Sequence, residues 1–273
     1  MILLSPKHRF SVPIDAENVT PDEFVGKSLK EIQSLKVWEG NRERVLGDLF
    51  HLQRVQEAPD SEATIRLVGD FTQVKRIGAK MSQGQIVVEG NVGMRLGEQM
   101  KGGTISVTGQ VGSWAGMMLH GGIIEITGDA GDYVGSSYRG STVGMTGGTI
   151  IVHGNAGNEV GCYMNNGLIK IGGNVEQFVG MHMQGGTILV AGDSEGRVGA
   201  EMMGGRIVVL GQVPSFLPSF IIDSIRKSVR VEADRVEGPF YLFNGDVTES
   251  WKGAVYVSTL KNPHLKFYET KIV

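Results

Sequence analysis

Hydrophobic residues in the middle of this chain alternate with other residues in short runs that recur along the sequence. Each run starts at a glycine and places β-branched residues two and four positions later, as in the segment GQIVV that begins at Gly84. An alternation with a period of two predicts a β-strand that buries one of its faces. The predicted inward pairs are Ile86/Val88, Ile105/Val107, Ile124/Ile126, Ile150/Val152, Ile169/Ile171, Ile188/Val190 and Ile207/Val209.

These runs belong to a longer repeat that is marked by glycine. The interval between equivalent glycines is 19 residues in every unit except one, where it is 26 residues. A unit of this length cannot bury a hydrophobic core by itself, but copies that stack on one another can. The opening glycines are Gly84, Gly103, Gly122, Gly148, Gly167, Gly186 and Gly205.

A row of large apolar residues lies three positions before each opening glycine. Stacking would align this row with the two β-branched rows inside the molecule. We therefore predict an all-β fold, a right-handed parallel β-helix of about eight coils over residues 63–213, since right-handed connections predominate between parallel strands. Glycine at every corner would supply the positive φ angles that sharp turns need. The third row consists of Met81, Met100, Leu119, Met145, Met164, Met183 and Met202.

The two ends of the chain lack this glycine rhythm, and they are expected to cap the stack because bare strand edges invite aggregation. Residues 1–62 are predicted to form a small N-terminal cap with short helices near 21–25 and 29–35, since the segments TPDE and SLKE are helix-capping sequences. Residues 214–273 are strand-rich and aromatic, which predicts a C-terminal cap that folds back on the stack.

Composition and charge exclude several classes of protein. The net charge is -3 and 20% of residues are charged, without the basic stripe expected of a nucleic-acid-binding protein. No stretch approaches the roughly 20 apolar residues of a membrane span. The amino-terminal sequence does not resemble a signal peptide. A cytoplasmic location is therefore expected.

The residues that usually carry chemistry do not form a recognisable set. Cys162 is the only cysteine of the chain, which excludes an internal disulfide or a cysteine-based metal cluster. His120, His153 and His182 occupy different positions of the repeat, so stacking would not bring them together. A reactive nucleophile also needs an activating neighbour. The sequence thus predicts no catalytic, cofactor-binding or metal-binding residue in this chain.

One outward row is less ordinary, because large aromatic residues recur eleven positions after the opening glycine. Exposed aromatic residues on one face are typical of protein interfaces. The row could instead be covered by the terminal caps. Its members are Arg95, Trp114, Tyr133, Glu159, Phe178 and Arg197.

The one long unit contains an insertion, SSYRGSTVGMT, over residues 136–146. A regular unit has four residues at this place and the insertion gives eleven. Extra residues in one turn of a solenoid are normally extruded as a loop. We hypothesise that Tyr138 and Arg139 contact a partner subunit, because these residue types are enriched at interface hot spots. A mobile surface loop is the alternative. The candidate interface comprises Trp114, Tyr133, Tyr138, Arg139 and Phe178.

The repeat resembles that of the C subunit of formylmethanofuran dehydrogenase, a GXGXG β-helix family. The resemblance is carried by GAKMSQGQIVVEG, GEQMKGGTISVTG, GMHMQGGTILVAG and GAEMMGGRIVVLG, and it extends into FVGKSLKEIQSLKVWEGNRERVLGDLF. The segments GDAGDYVGSSYRG and GCYMNNG are also similar to the carboxy-terminal domain of glutamate synthase. The chain departs from the pattern at Leu119, at Thr142 and in the insertion.

The resemblance implies a non-catalytic scaffold subunit of an oxidoreductase complex that reduces CO2 and fixes it onto methanofuran, the first step of methanogenesis. A tungsten or molybdenum bis-pterin, iron–sulfur clusters and a dinuclear metal site would then lie in the partners. These partners would be pterin-binding, amidohydrolase-like and ferredoxin-like subunits.

Three other functions stay open at this point. The first is that of the related C subunit in the bacterial formyltransferase/hydrolase complex, which shares the fold and the carrier chemistry without CO2 reduction. The second is a stand-alone β-helix enzyme such as a polysaccharide lyase, which predicts a secretion signal and a cleft of in-phase Asp, Lys and Arg that we do not find. The third is a stand-alone binding β-helix, for which continuous rows of exposed threonine would be expected.

Overall fold

The computed structural model describes residues 1–55 and 63–272, and its regular structure is mostly β-sheet. Thirteen of the described strands form one large sheet that is mostly parallel, and the helices are few and short. Residues 56–62, the end of the predicted N-terminal cap, and Val273 lie outside the described residues.

The first 55 residues form a small mixed region. The two predicted helices are present, and the second has a complete capping box in which Ser28 and Glu31 exchange side-chain and backbone hydrogen bonds. A third helix was not predicted, because its short sequence LGDL carries no capping signal. The elements are β1 (Ile2–Pro6), β2 (Ile14–Asp15), α1 (Pro21–Phe24), α2 (Leu29–Gln33), β3 (Lys36–Glu39), β4 (Arg42–Val45), α3 (Leu46–Leu49) and β5 (Phe50–Arg54).

The repeat units each contribute one strand to the large sheet. Successive strands pair in parallel and in register, so that Ile124 lies beside Ile105 on one side and Ile150 on the other. The strands of the repeat region are β6 (Thr64–Val68), β7 (Val74–Lys75), β8 (Gln85–Glu89), β9 (Thr104–Val107), β10 (Ile123–Ile126), β11 (Thr149–Val152), β12 (Leu168–Ile171), β13 (Val175–Gln177), β14 (Thr187–Val190), β15 (Ser194–Gly196) and β16 (Arg206–Val209).

The second strand of each unit is shorter than the sequence predicts. Among the described residues, only β13 and β15 form a ladder at this place, and the earlier units are joined there by single bridges such as Val92 to Val111 and Ala130 to Ala156. Each bridge still ties one unit to the next in parallel. The glycines and polar residues that flank it limit the length over which the backbone stays extended.

The core runs between the strands and the corners of the units. The inward β-branched residues of β8 to β12, β14 and β16 are buried. The third row is fully buried, with 0% exposure for each of Met81, Met100, Leu119, Met145, Met164, Met183 and Met202. These side chains belong to one continuous apolar cluster that reaches from the N-terminal region to the last strands. Burial of apolar surface on this scale is the main favourable contribution to folding.

The glycines of the repeat serve two different purposes, and only one of them was predicted. Gly103 has a φ of 82°, a left-handed conformation that favours glycine. Gly109, in contrast, has no left-handed φ, but a Cβ atom there would lie 2.5 Å from the carbonyl oxygen of Gly90. The prediction of a positive φ at every corner is therefore wrong at Gly109, where glycine permits the close approach of neighbouring units.

Asparagine and aspartate side chains connect the units at the same corner. The Oδ1 atom of Asn155 accepts a hydrogen bond from the backbone N–H of Asn174 at 2.8 Å, and the Oδ1 atom of Asn174 accepts one from Asp193 at 2.9 Å. The sequence indicates these residues as turn formers, and the structure adds a ladder that satisfies backbone N–H groups between units.

The C-terminal region extends the large sheet and covers part of its outer face. It comprises β17 (Ile221–Val231), β18 (Asp234–Gly245), β19 (Gly253–Ser258) and a 3-10 helix at Pro263–Lys271. Strand β19 continues the parallel order after β16, and β18 and β17 follow in antiparallel pairing. Val229 and Val231 of β17 pack against Leu168 and Val208 on the outward face of the repeat strands.

At the opposite edge, β1 pairs in parallel with β6, and β5 closes the order in antiparallel pairing with β1. Strand β2 pairs with β7 in a smaller four-stranded sheet. Within the described ranges, no helix is long and apolar enough to cross a membrane.

Candidate functional site

Two rows of side chains on one face of the repeat region have an uncommon backbone conformation. Their φ angles lie between 53° and 67°, although none of these residues is glycine. The left-handed region costs an L-amino acid roughly 1–2 kcal/mol, so the fold must enforce it. The first row contains Arg76, Arg95, Trp114, Tyr133, Glu159, Phe178 and Arg197, and the second row contains Lys80, Gln99, Met118, Tyr163, His182 and Glu201.

Backbone hydrogen bonds between units hold this conformation. The N–H of Trp114 donates to the carbonyl oxygen of Asp132 in the next unit at 2.8 Å, and the N–H of His182 donates to Ala200 at 2.9 Å. Each residue of a row is thereby fixed above the next one. The side chains leave the corner in the same direction and meet their neighbours along the row.

Stacked and charged contacts link most members of the first row. The rings of Trp114 and Tyr133 are 4.6 Å apart and nearly parallel, with 9° between their planes. The guanidinium of Arg197 lies 4.9 Å from the centre of the Phe178 ring. Arg95 pairs with Glu98 at 3.1 Å and also lies 5.0 Å from the ring of Tyr138 in the insertion.

The second row was not identified from the sequence as a group. Its rings Tyr163 and His182 stack with their centres 4.4 Å apart, and His182 Nδ1 lies 3.4 Å from a carboxylate oxygen of Glu201. A signal was present, because each member directly precedes a residue of the buried methionine row. Alternation would have turned these residues outward, next to the aromatic ones.

The insertion lies against this face and is anchored at both ends. The hydroxyl of Ser136 donates to the carbonyl oxygen of Glu159 at 2.6 Å, and the N–H of Gly144 donates to Tyr163 at 2.9 Å. Ser136 and Ser137 are buried, whereas Tyr138 and Arg139 at the tip are exposed. The tip is therefore presented to solvent by a fixed base.

The rows and the insertion enclose a recess of about 300 Å³. This volume is at the lower end of the range for small-ligand sites. The structure brings Trp114, Tyr133, Tyr138 and Arg139 together around the recess, while Phe178 lies further along the row and does not line it. The other lining side chains that matter for its chemistry are Glu159, Cys162, Tyr163 and His182.

Cys162 lies at the base of the recess as a protonated thiol. Burial raises the pKa of Cys162 to about 12, and the charge of the neighbouring Glu159 carboxylate acts in the same direction. Nucleophilic attack requires the thiolate. The environment of this residue therefore opposes the role of a catalytic nucleophile.

The histidines are dispersed and engaged in separate contacts. His153 Nε2 lies 2.8 Å from Glu125 and His120 Nδ1 lies 2.8 Å from the hydroxyl of Thr146. Across residues 1–55 and 63–272, no group of three or more His, Cys, Asp or Glu side chains is arranged to hold a metal ion.

Stacked parallel strands with ordered rows of side chains on one face define a protein built from β-sheet repeats. No family model matches the chain. The C subunit of tungsten-containing formylmethanofuran dehydrogenase 2 from Methanothermobacter thermautotrophicus is 47% identical over 95 residues, which are 34% of this chain and 34% of that protein. The C subunit of molybdenum-containing formylmethanofuran dehydrogenase 1 from the same organism is 44% identical over 93 residues, 34% of this chain and 22% of that protein.

These relatives confirm the resemblance to the C subunit of formylmethanofuran dehydrogenase, and the match spans about a third or less of their length. A solved structure extends the similarity to almost the whole chain. It contains the formyltransferase/hydrolase complex from Methylorubrum extorquens with methylofuran, and one of its chains is 29% identical with a TM-score of 0.82. That similarity covers 94% of this chain and 99% of the other.

Proposed function

We propose that this chain is a non-catalytic scaffold subunit of a formylmethanofuran dehydrogenase complex, which reduces CO2 and fixes it onto methanofuran in the first step of methanogenesis. The observation that carries the proposal is the identity of 40% to 47% to the C subunits of molybdenum- and tungsten-containing enzymes. The repeated units suit a scaffold, because each unit is fixed by its neighbours and the whole stack is rigid.

The finer architecture belongs to the same proposal. The strands of the large sheet, the bridges between units and the corners that carry the first and second rows together close into a right-handed parallel β-helix over residues 63–213. Residues 1–62 and 214–273 act as its caps. Support comes from hydrogen bonds between successive units at the strands, at the bridges and at the corners.

The reactive centres of the complex lie in companion subunits under this proposal. A tungsten or molybdenum bis-pterin, iron–sulfur clusters and a dinuclear metal site would be held by pterin-binding, ferredoxin-like and amidohydrolase-like partners in the cytoplasm. The names of the relatives, which specify molybdenum or tungsten, support this placement. So does the chemistry of the candidate site, whose single thiol is held in its protonated form.

Docking to one of these partners occurs through the insertion and the first row. Tyr138 is 49% exposed on an anchored base, and the adjacent tip residue Arg139 is also exposed. A fixed aromatic residue can bind a partner without a large loss of conformational entropy. Trp114, Tyr133 and Phe178 extend the same face along the stack.

The docking role is tested by replacing residues 136–146 with MHMQ, the sequence of residues 181–184 at a regular corner. We expect the variant to fold with an unchanged circular dichroism spectrum and to bind its companion subunits at least about tenfold more weakly. A folded variant that assembles with unchanged affinity would eliminate the docking role.

The formyltransferase/hydrolase complex is a second candidate, and the structural similarity over 94% of the chain favours it. Both candidates use a one-carbon carrier, but only the dehydrogenase reduces CO2. Metal analysis and an assay of formylmethanofuran oxidation on the natively purified complex separate them. Tungsten or molybdenum together with oxidation supports the dehydrogenase, and formyl transfer without either metal supports the second candidate.

A further inference from the structure

Glu159 lies between Tyr133 and Phe178 in the first row, and it carries a carboxylate where these two neighbours carry aromatic rings. Trp114 stacks on Tyr133, and Phe178 lies under Arg197. Within the described part of the chain, no cationic side chain lies within 4.0 Å of the Glu159 carboxylate. The neighbouring thiol of Cys162 is neutral and cannot balance the charge.

Two pairs of stacked rings line the recess together with Glu159. Tyr133, stacked on Trp114, belongs to the first row, and Tyr163, stacked on His182, belongs to the second. An aromatic face attracts a cation through the quadrupole of its ring, and guanidinium groups also stack on such faces. A carboxylate in the same recess adds charge-assisted hydrogen bonds to the same cation.

We propose that the recess receives an arginine side chain of a companion subunit. The guanidinium would lie against the tyrosine rings and donate hydrogen bonds to Glu159. The volume of about 300 Å³ is suited to one long side chain. This inference rests on the proposed docking function and specifies the chemistry of the partner at that surface.

The chain itself uses the same recognition twice on this face. Arg95 lies over Tyr138 and Arg197 lies over Phe178, both at about 5 Å from the ring centre. Glu98 then pairs with Arg95 at 3.1 Å and supplies the carboxylate of the first example. Tyr133 and Glu159 repeat this combination of ring and carboxylate further along the row, but without the arginine.

The test measures binding of two small probes to the full chain by nuclear magnetic resonance. The probes are Nα-acetyl-arginine methylamide and its citrulline counterpart, which has nearly the same shape without the charge. The wild-type chain should bind the arginine probe at least about fivefold more tightly than the citrulline probe. Glu159→Gln should abolish this preference. Glutamine can hold this backbone conformation, because Gln99 has a φ of 53° in the second row.

Glu195→Gln is the matched control, because it removes the same charge from an exposed carboxylate that does not line the recess, and it should retain the preference. Tyr163→Leu is a second variant and should weaken the arginine probe at least about threefold. Arg139→Gln removes a like charge that lines the recess, so it should raise the affinity for the arginine probe by less than about tenfold. A tenfold gain in Arg139→Gln would assign the recess to Arg139 of the same chain and overturn the proposal.

The absence of an arginine preference in the wild-type chain, or its survival in Glu159→Gln, would also overturn the proposal. Neither result would affect the docking role, which is measured by assembly of the variant with the shortened insertion. Conversely, normal assembly of that variant would remove the docking role even if the arginine probe binds.

Discussion

At the scale of single residues, the corners of the repeat impose a conformation that most side chains avoid. Thirteen non-glycine residues in the two rows hold φ angles between 53° and 67°. The cost is balanced by hydrogen bonds between units and by packing of the buried residues that alternate with them. The rows are therefore a consequence of stacking, and their outward side chains are free to vary in chemistry.

This balance predicts an unusual response to glycine at Lys80, which is exposed and has a φ of 60°. Lys80→Gly removes the left-handed penalty, whereas Lys101→Gly, at an exposed position without a left-handed φ, only adds flexibility to the unfolded chain. The Lys80→Gly chain should be at least about 1 kcal/mol more stable than the Lys101→Gly chain in urea unfolding. Equal stability of the two variants would contradict the enforced conformation.

The buried thiol gives a prediction that depends on pH. Burial and Glu159 raise the pKa of Cys162 to about 12, so the folded thiol stays protonated where an unfolded thiol, with a pKa of about 8.5, ionises. This contribution to stability is complete below about pH 8.5 and is lost as the pH rises towards 12. At pH 8, alkylation of the native chain should be at least about a hundredfold slower than that of the chain in guanidinium. Similar rates in the two states would show that the thiol is accessible and ionised.

At the scale of elements, the strand pattern could be predicted because its physical cause is local. The pairs of β-branched residues specify extended backbone with one buried face, and the structure confirms a strand in every predicted unit. The second strand was overestimated, because its short alternation lies between turn residues and most units make a single bridge there. Helix α3 was missed, since its four residues depend on tertiary contacts.

The inward rows should determine stability in a position-specific way. Ile169 is fully buried beside Ile150 and Ile188, so Ile169→Ala should lower the free energy of unfolding by roughly 2–5 kcal/mol. Ile123→Ala is the control, because Ile123 lies on a repeat strand with 44% exposure, and it should cost less than about 1 kcal/mol. Comparable losses in thermal or urea unfolding would mean that the inward and outward faces are wrongly assigned.

At the scale of the whole molecule, one sheet passes through the N-terminal region, the repeats and the C-terminal strands. The order β5, β1, β6 at one end and β16, β19, β18, β17 at the other protects the edges of the repeat strands. The hairpin of β17 and β18 also covers the outward residues Leu168 and Val208. On the face that carries Trp114 and Tyr133, the tip of the insertion remains exposed. This exposure is consistent with assembly through that face.

Prediction from the sequence was limited where distant residues meet. The insertion was visible as a break in the repeat, but its anchoring to Glu159 and Tyr163 depends on contacts between units. The stack of Tyr163 on His182 depends on a corner conformation that single residues seldom adopt. The recess between the two rows could therefore not be predicted, although most of its lining residues had been considered separately.

The central claim is that this chain acts as a subunit of a larger one-carbon complex, and its companions provide the most direct test. A tagged full-length chain would be purified from the native source under gentle conditions, and the co-purifying chains would be identified by mass spectrometry. The account predicts pterin-binding, amidohydrolase-like and ferredoxin-like chains in a constant ratio to the tagged chain. Elution of the chain alone, or with companions unrelated to one-carbon chemistry, would contradict it.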